Sequence, residues 1–303
     1  MYTKKAISED WKRNRGLYIM IIPVIAFYLV FCYKPMYGAL MAFENFSPKR
    51  GIFGSEWVGL SNFRMFFQSK DFYRLLRNTL YISISNIVFS FPAPIILALL
   101  INEINRKRFA KVVQTITYLP HFISLVVVCG MIREFVSDTG IITYVLGFFG
   151  IPQTNLLNES NAFVPIYIVS GIWQEVGWGT IIYLAALTGI NQELYEAASI
   201  DGAGRLRRVW SITLPGLIPT IVTLLILRLG SVMNVGFEKI ILLYNSMTRD
   251  VADVISTYVY RMGLIKKDYG FSTAVGLFNS VINFAFVILA NAISRKVNET
   301  SLW

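Results

Sequence analysis

Apolar runs recur along the chain at 17–33, 78–101, 112–135, 162–187, 217–243 and 271–294. Each is near or above the roughly 20 residues a helix needs to cross a bilayer. The pattern predicts an all-α membrane protein with six transmembrane helices in one domain covering 1–303. Lys4, Lys5, Lys12, Arg13 and Arg15 precede the first run, and no small-residue cleavage site follows it, so it reads as a retained helix. The mixed stretch 34–77, with Pro35, Pro48, Gly51 and Gly54, predicts a loop carrying short surface helices.

A polar island at 190–219 separates two apolar runs, and the chain is organised around it. Asn191 suits a helix cap, and Ile190, Leu194, Ala197 and Ala198 share one face at helical spacing. Gly202 and Gly204 stop that helix. Leu206, Val209, Trp210 and Thr213 then repeat the spacing, Arg205, Arg207 and Arg208 point elsewhere, and Pro215 is expected to end the run. The prediction is a bent amphipathic elbow on a membrane surface. On physics alone, its arginines suit lipid headgroups.

Composition narrows the class. The chain is 55% hydrophobic and 15% charged, too apolar for a soluble domain of 303 residues. The net charge of +10 is scattered between apolar runs instead of forming a stripe, which argues for membrane topology and against nucleic acid. Six crossings put both termini on one side. The N-terminus, the Asn102 to Lys111 loop, the elbow and the tail with Arg295 and Lys296 are short and basic, so that side is predicted to be cytoplasmic. The opposite side has no Lys or Arg in 136–161, although Lys49, Arg50, Arg64, Lys70, Arg249, Arg261, Lys266 and Lys267 fall in its other loops. Cys32 and Cys129 lie in apolar runs without CxxC spacing, so neither a disulfide framework nor a zinc site is indicated.

No glycine-rich loop ends in Gly-Lys-Ser or Gly-Lys-Thr, so nucleotide phosphates have no usual cradle in this chain. His121 is the single histidine, which argues against His-pair metal sites and a Ser-His nucleophile. Its expected role is structural; no catalytic or metal residue is predicted, and an intramembrane enzyme is the weakest reading.

Polar residues inside the runs say more, because each is costly in hydrocarbon unless it faces protein or water. Glu175 sits between Trp173 and Trp178, a setting that suits hydrogen bonding to sugar hydroxyls with ring stacking. It equally suits a packing group paired with Arg133 or Arg228. Arg228, Asn234 and Glu238 recur near helical spacing, and Asn279 and Asn283 lie four apart on one face. These either line a polar path or bond helix to helix. Pro92, Pro94, Gly177 and Gly179 are expected to interrupt their helices.

The order of Glu196, Ala197, Ala198, Asp201, Gly202, Ala203, Arg205, Ile212, Leu214, Pro215 and Pro219 resembles the signature loop of ABC importer permeases. The resemblance extends to Tyr33-Lys34-Pro35-Met36-Tyr37-Gly38-Ala39, Tyr118-Leu119-Pro120, Asn234 to Lys239 and Asp250 to Tyr260, which look like the carbohydrate permeases of the polysaccharide and oligosaccharide group. It implies type I importer architecture in a bacterial cell membrane, with the elbow as a coupling helix. Implied partners are a second, unlike permease, a cytoplasmic ATPase dimer holding ATP and Mg, an extracellular substrate-binding lipoprotein and an oligosaccharide. No cofactor is implied in this chain. The rival is an ion-coupled secondary sugar carrier using Glu175 or Glu238, weakly disfavoured because no inverted repeat is detectable.

Overall fold

The structure, a computed structural model, describes residues 4–298 and is mainly helical. Residues 1–3 and 299–303 of the expected domain lie outside the described residues. Four helices are long and apolar enough to cross a membrane: Arg13–Phe43, Asp71–Asn102, Arg205–Leu229 and Tyr269–Arg295. A fifth arises if the bent pair Lys107–Phe122 and Leu125–Phe135 counts as one span. The helix Ser160–Leu187 has 28 residues, but Gln174 and Glu175 interrupt its apolar run. The chain forms two compact units, one up to Phe67 with Met262–Leu277, the other Gln68–Arg261 with the residues from Phe278 on.

In the first unit, the expected loop after residue 33 begins as helix, because the span continues to Phe43. Two short antiparallel strands, Glu44–Asn45 and Glu56–Trp57, follow, then the helix Ser61–Gln68. Buried Asn62 fastens this corner by donating to the carbonyls of Ala42 at 2.9 Å and Glu44 at 3.1 Å. Gly270 packs against the Glu44 carbonyl so closely that a side chain there would collide with backbone.

The second unit surrounds a core of Ile82, Val128, Phe163, Ile240, Leu243 and Val254. Lipid is as apolar as leucine, so close packing holds this cluster more than exclusion from water does. The helix Ser160–Leu187 runs unbroken through Gly177 and Gly179, contrary to expectation. Both glycines serve close approach: a Cβ at Gly177 would strike the Thr117 carbonyl, and one at Gly179 would lie 2.9 Å from Pro94 Cγ. The prolines do distort their helix, since a π turn at Asn86–Ser90 precedes Pro92 and Phe91 N–H bonds back five residues to Asn86.

Two further expectations are corrected. The run 112–135 is not one helix but two, bent by 98° between Phe122 and Leu125. Pro120 starts the tightening there and Ser124 caps the second helix. The run 217–243 also breaks, with helix to Leu229 and again from Phe237.

On the same unit, buried Asp253 collects Arg261 at 2.6 Å, Arg74 at 3.5 Å and Arg249 at 3.7 Å. Burial works against the Arg261 charge, but hydrogen bonding and attraction to Asp253 outweigh it and hold its pKa above the ordinary guanidinium value. Two of the arginines that dilute the charge bias of the sequence, Arg249 and Arg261, thus share one buried carboxylate.

Candidate functional site: a broken helix over a cavity, and a glycine-bent elbow

A cavity of about 690 Å³ lies among the helices Asp71–Asn102, Ser160–Leu187 and Arg205–Leu229 and the break at 230–236. The break leaves backbone groups without helical partners, and side chains from elsewhere satisfy them. Asn283 Oδ1 accepts from Met233 N–H at 2.9 Å, Ser83 donates to the Val232 carbonyl, and Ser256 donates to the Val235 carbonyl at 3.3 Å. Asn279 and Asn283 also donate to Asn234 Oδ1, at 2.8 and 3.2 Å. Gly236 lets the segment pass Tyr167, whose hydroxyl lies 2.7 Å from where a Cβ would stand.

Of the expected path residues, Glu175, Trp178 and Asn234 line the cavity. Asn279 and Asn283 are buried and support the break from outside it. Trp173 and Glu238 are exposed and absent from the cavity wall. The supposed helical spacing of Arg228, Asn234 and Glu238 does not exist, because the break resets the helical phase between them.

Glu175 pairs with neither Arg133 nor Arg228. Its Oε2 lies 2.9 Å from His121 Nδ1, and the imidazole stacks on Trp178 with centroids 4.3 Å apart and planes 5° from parallel. His121 therefore occupies one face of the indole and orients the carboxylate. Sequence reasoning missed Lys239, Tyr167 and Gln174 in the wall. The available signals were a lysine inside the apolar run Phe237–Leu243 and the amide of Gln174 beside Glu175.

The elbow is built by local rules. Asn191 Oδ1 accepts from Glu193 N–H at 3.0 Å and starts the helix Gln192–Ile200. Gly202 ends it at φ 75°, with Ala203 N–H bonded to the Ala198 carbonyl at 2.8 Å and Gly202 N–H to that of Ser199 at 3.1 Å. That pair of bonds is the Schellman arrangement, and the left-handed backbone it needs favours glycine. Arg208 reaches back to Ser199 Oγ at 2.9 Å, and Tyr195 meets buried Thr213 at 3.0 Å. The second arm does not end at Pro215. A π turn at Val209–Thr213 spares a hydrogen bond that proline could not make, and helix continues to Leu229.

Glu196, Ala197, Asp201, Gly202, Arg205 and Pro215 are exposed, while Ala198, Ala203 and Leu214 are half-buried. Large apolar side chains also face outward, with Ile200 86%, Leu206 72% and Trp210 64% exposed. The elbow is thus a capped, glycine-bent element with an exposed and partly apolar surface.

Residues 76–299 match the family of binding-protein-dependent transport system inner membrane components. The chain belongs to this family. Such a permease is the membrane-embedded, non-catalytic part of its system, which sets aside the intramembrane enzyme and the ion-coupled carrier. Protein LplB of Bacillus subtilis is 46% identical over 96% of this chain and 92% of its own length. The Polygalacturonan/rhamnogalacturonan transport system permease protein YteP of the same organism is 45% identical, covering 96% and 91%. A chain in the crystal structure of a bacterial ABC transporter involved in the import of the acidic polysaccharide alginate matches this permease with a TM-score of 0.89. The two are 46% identical, and the match covers 96% of this chain and 99% of that one. The same transporter type in complex with an alginate pentasaccharide-bound periplasmic protein gives 0.89 at 45% identity, covering 97% and 99%. The fold is that of a type I ABC importer permease.

Proposed function

We propose that the chain is one of two unlike permease subunits of an ATP-driven ABC importer for oligosaccharides or polysaccharide fragments. The observation that carries this reading is the 46% identical alginate-transporter chain, superimposable along nearly all of this one. In this reading 1–303 is a single permease domain in a bacterial cell membrane. It crosses six times, through the four long apolar helices, the bent pair and Ser160–Leu187, with both termini cytoplasmic. An extracellular lipoprotein delivers the saccharide.

The elbow docks into an ATPase dimer that holds ATP and Mg. Glu196, Ala197, Ala198, Asp201, Gly202, Ala203 and Arg205 form the docking surface, while Leu214 and Pro215 join it to the helix that reaches the cavity. Closure of the ATPases moves the elbow, and the cavity alternates between inward and outward exposure. Glu175 and Trp178 contact the sugar, and Asn234 stands at the broken helix. Trp173, Glu238, Asn279 and Asn283 act from outside the wall.

The decisive experiment is Gly202→Asp in the assembled complex. A Cβ at Gly202 meets nothing within 4 Å, and Asp tolerates left-handed backbone better than most residues, so the subunit should still fold and assemble. Saccharide uptake should fall sharply. Uptake at the wild-type rate would remove the elbow from the coupling role. Orientation is tested in a chain lacking Cys32 and Cys129: Ser211→Cys should be labelled only from the cytoplasm and Asn158→Cys only from outside.

A further inference from the structure

Lys239 is 7% exposed, yet it lines the cavity. Its Nζ donates to the Tyr167 carbonyl at 3.0 Å and lies 5.0 Å from the centroid of the Tyr167 ring. An ammonium has three N–H donors, and that carbonyl uses one. Gly171 packs beside it, where a Cβ would stand 3.3 Å from Nζ. Arg228 lines the same cavity. Among the described residues, no carboxylate lies within ion-pair distance of either cation. Glu175, the one acidic side chain in the wall, is already engaged by His121.

A buried cation with spare donors is costly unless an anion completes it, and a carboxylate does so through charge-assisted hydrogen bonds. We propose that Lys239 is a carboxylate subsite, and that the cavity selects oligosaccharides carrying uronate groups, with Arg228 as the second cation on the wall. A neutral sugar would bring only hydroxyls to Lys239, where an acidic one would bring a full negative charge. The absent side chain at Gly171 leaves room for the ammonium to face the cavity across the helix Ser160–Leu187. This inference rests on reading the cavity as the saccharide path.

The test uses the complete importer purified from native membrane and reconstituted in liposomes. Uptake of a galacturonate trisaccharide is compared with that of its carboxyl-reduced, neutral counterpart. The wild type should prefer the acid by roughly tenfold or more. Lys239→Met should lose that preference, and Lys239→Arg should retain it. Gly171→Ala crowds the ammonium without changing any charge and should reduce the preference. It decides the matter if Lys239→Met fails to assemble. Equal uptake of both sugars by the wild type would overturn the proposal, as would an unchanged preference in an assembled Lys239→Met or Gly171→Ala variant. An importer that carries only neutral oligosaccharides also overturns it while leaving the permease reading intact. Absence of all saccharide import by an assembled complex takes down both.

Discussion

The elbow and the break at 230–236 are both non-helical interruptions between helices, yet they are held in opposite ways. At the elbow the stabilising bonds lie within the segment itself: Asn191 to Glu193, Ala203 to Ala198, Arg208 to Ser199, Tyr195 to Thr213. At the break the bonds come from Asn283, Ser83 and Ser256, 50, 149 and 21 residues distant. An exposed turn can rely on water and local caps, whereas a turn lining a cavity at membrane depth must borrow partners from other helices. Damage should therefore stay local at the elbow and spread at the break.

That contrast can be broken by measurement. The largest expected effect belongs to Asn283→Ala, which strips the buried Met233 N–H of its acceptor and Asn234 of a donor. One orphaned buried group costs about 1–3 kcal/mol, so thermal unfolding in detergent should move to clearly lower temperature and uptake should fall with it. Unchanged melting would mean that the break holds itself. Next comes Gly236→Ala, which drives a methyl group into the Tyr167 hydroxyl. Overpacking of this kind costs about 1–3 kcal/mol, and the readout is lowered uptake with reduced melting temperature. The smallest effect is Asn191→Ala at the elbow, a lost exposed cap worth about 1 kcal/mol of helix stability. Melting should hardly move, and a large drop there would show that the elbow is not locally held.

The same contrast explains what could be read from the letters. Asn191, Gly202 and Gly204 signal a cap and a turn by themselves, so the elbow was legible in position and shape. Gly230 and Gly236 flank the break, but Val232, Met233 and Val235 between them look like a continuing apolar span. Nothing local announces that Asn283 will cap it. Once the phase is reset, Glu238 turns outward and its neighbour Lys239 turns in, since adjacent helical residues lie about 100° apart. The acidic residue selected by periodicity was thus one position away from the charged residue that reaches the cavity. The bend at 122–125 escaped for a related reason, because Gln174 supports it by donating to the Ile123 carbonyl at 3.5 Å from another helix. Pro215 failed as a stop because a wide turn accommodates it.

That wide turn at Val209–Thr213 lies within a 25-residue rod, Arg205–Leu229, with the elbow at one end and the cavity at the other. At about 1.5 Å per residue, the rod joins two places some ~37 Å apart. The turn absorbs its extra residue, so the helix beyond keeps its phase; removing one residue from the regular helix Leu214–Leu229 would instead rotate everything beyond it by about 100°. Arg228 would then leave the cavity wall while the elbow kept its shape. Chain length in this rod is consequently a form of timing between the two ends, so an insertion or deletion that a surface loop would absorb becomes here a change of gear.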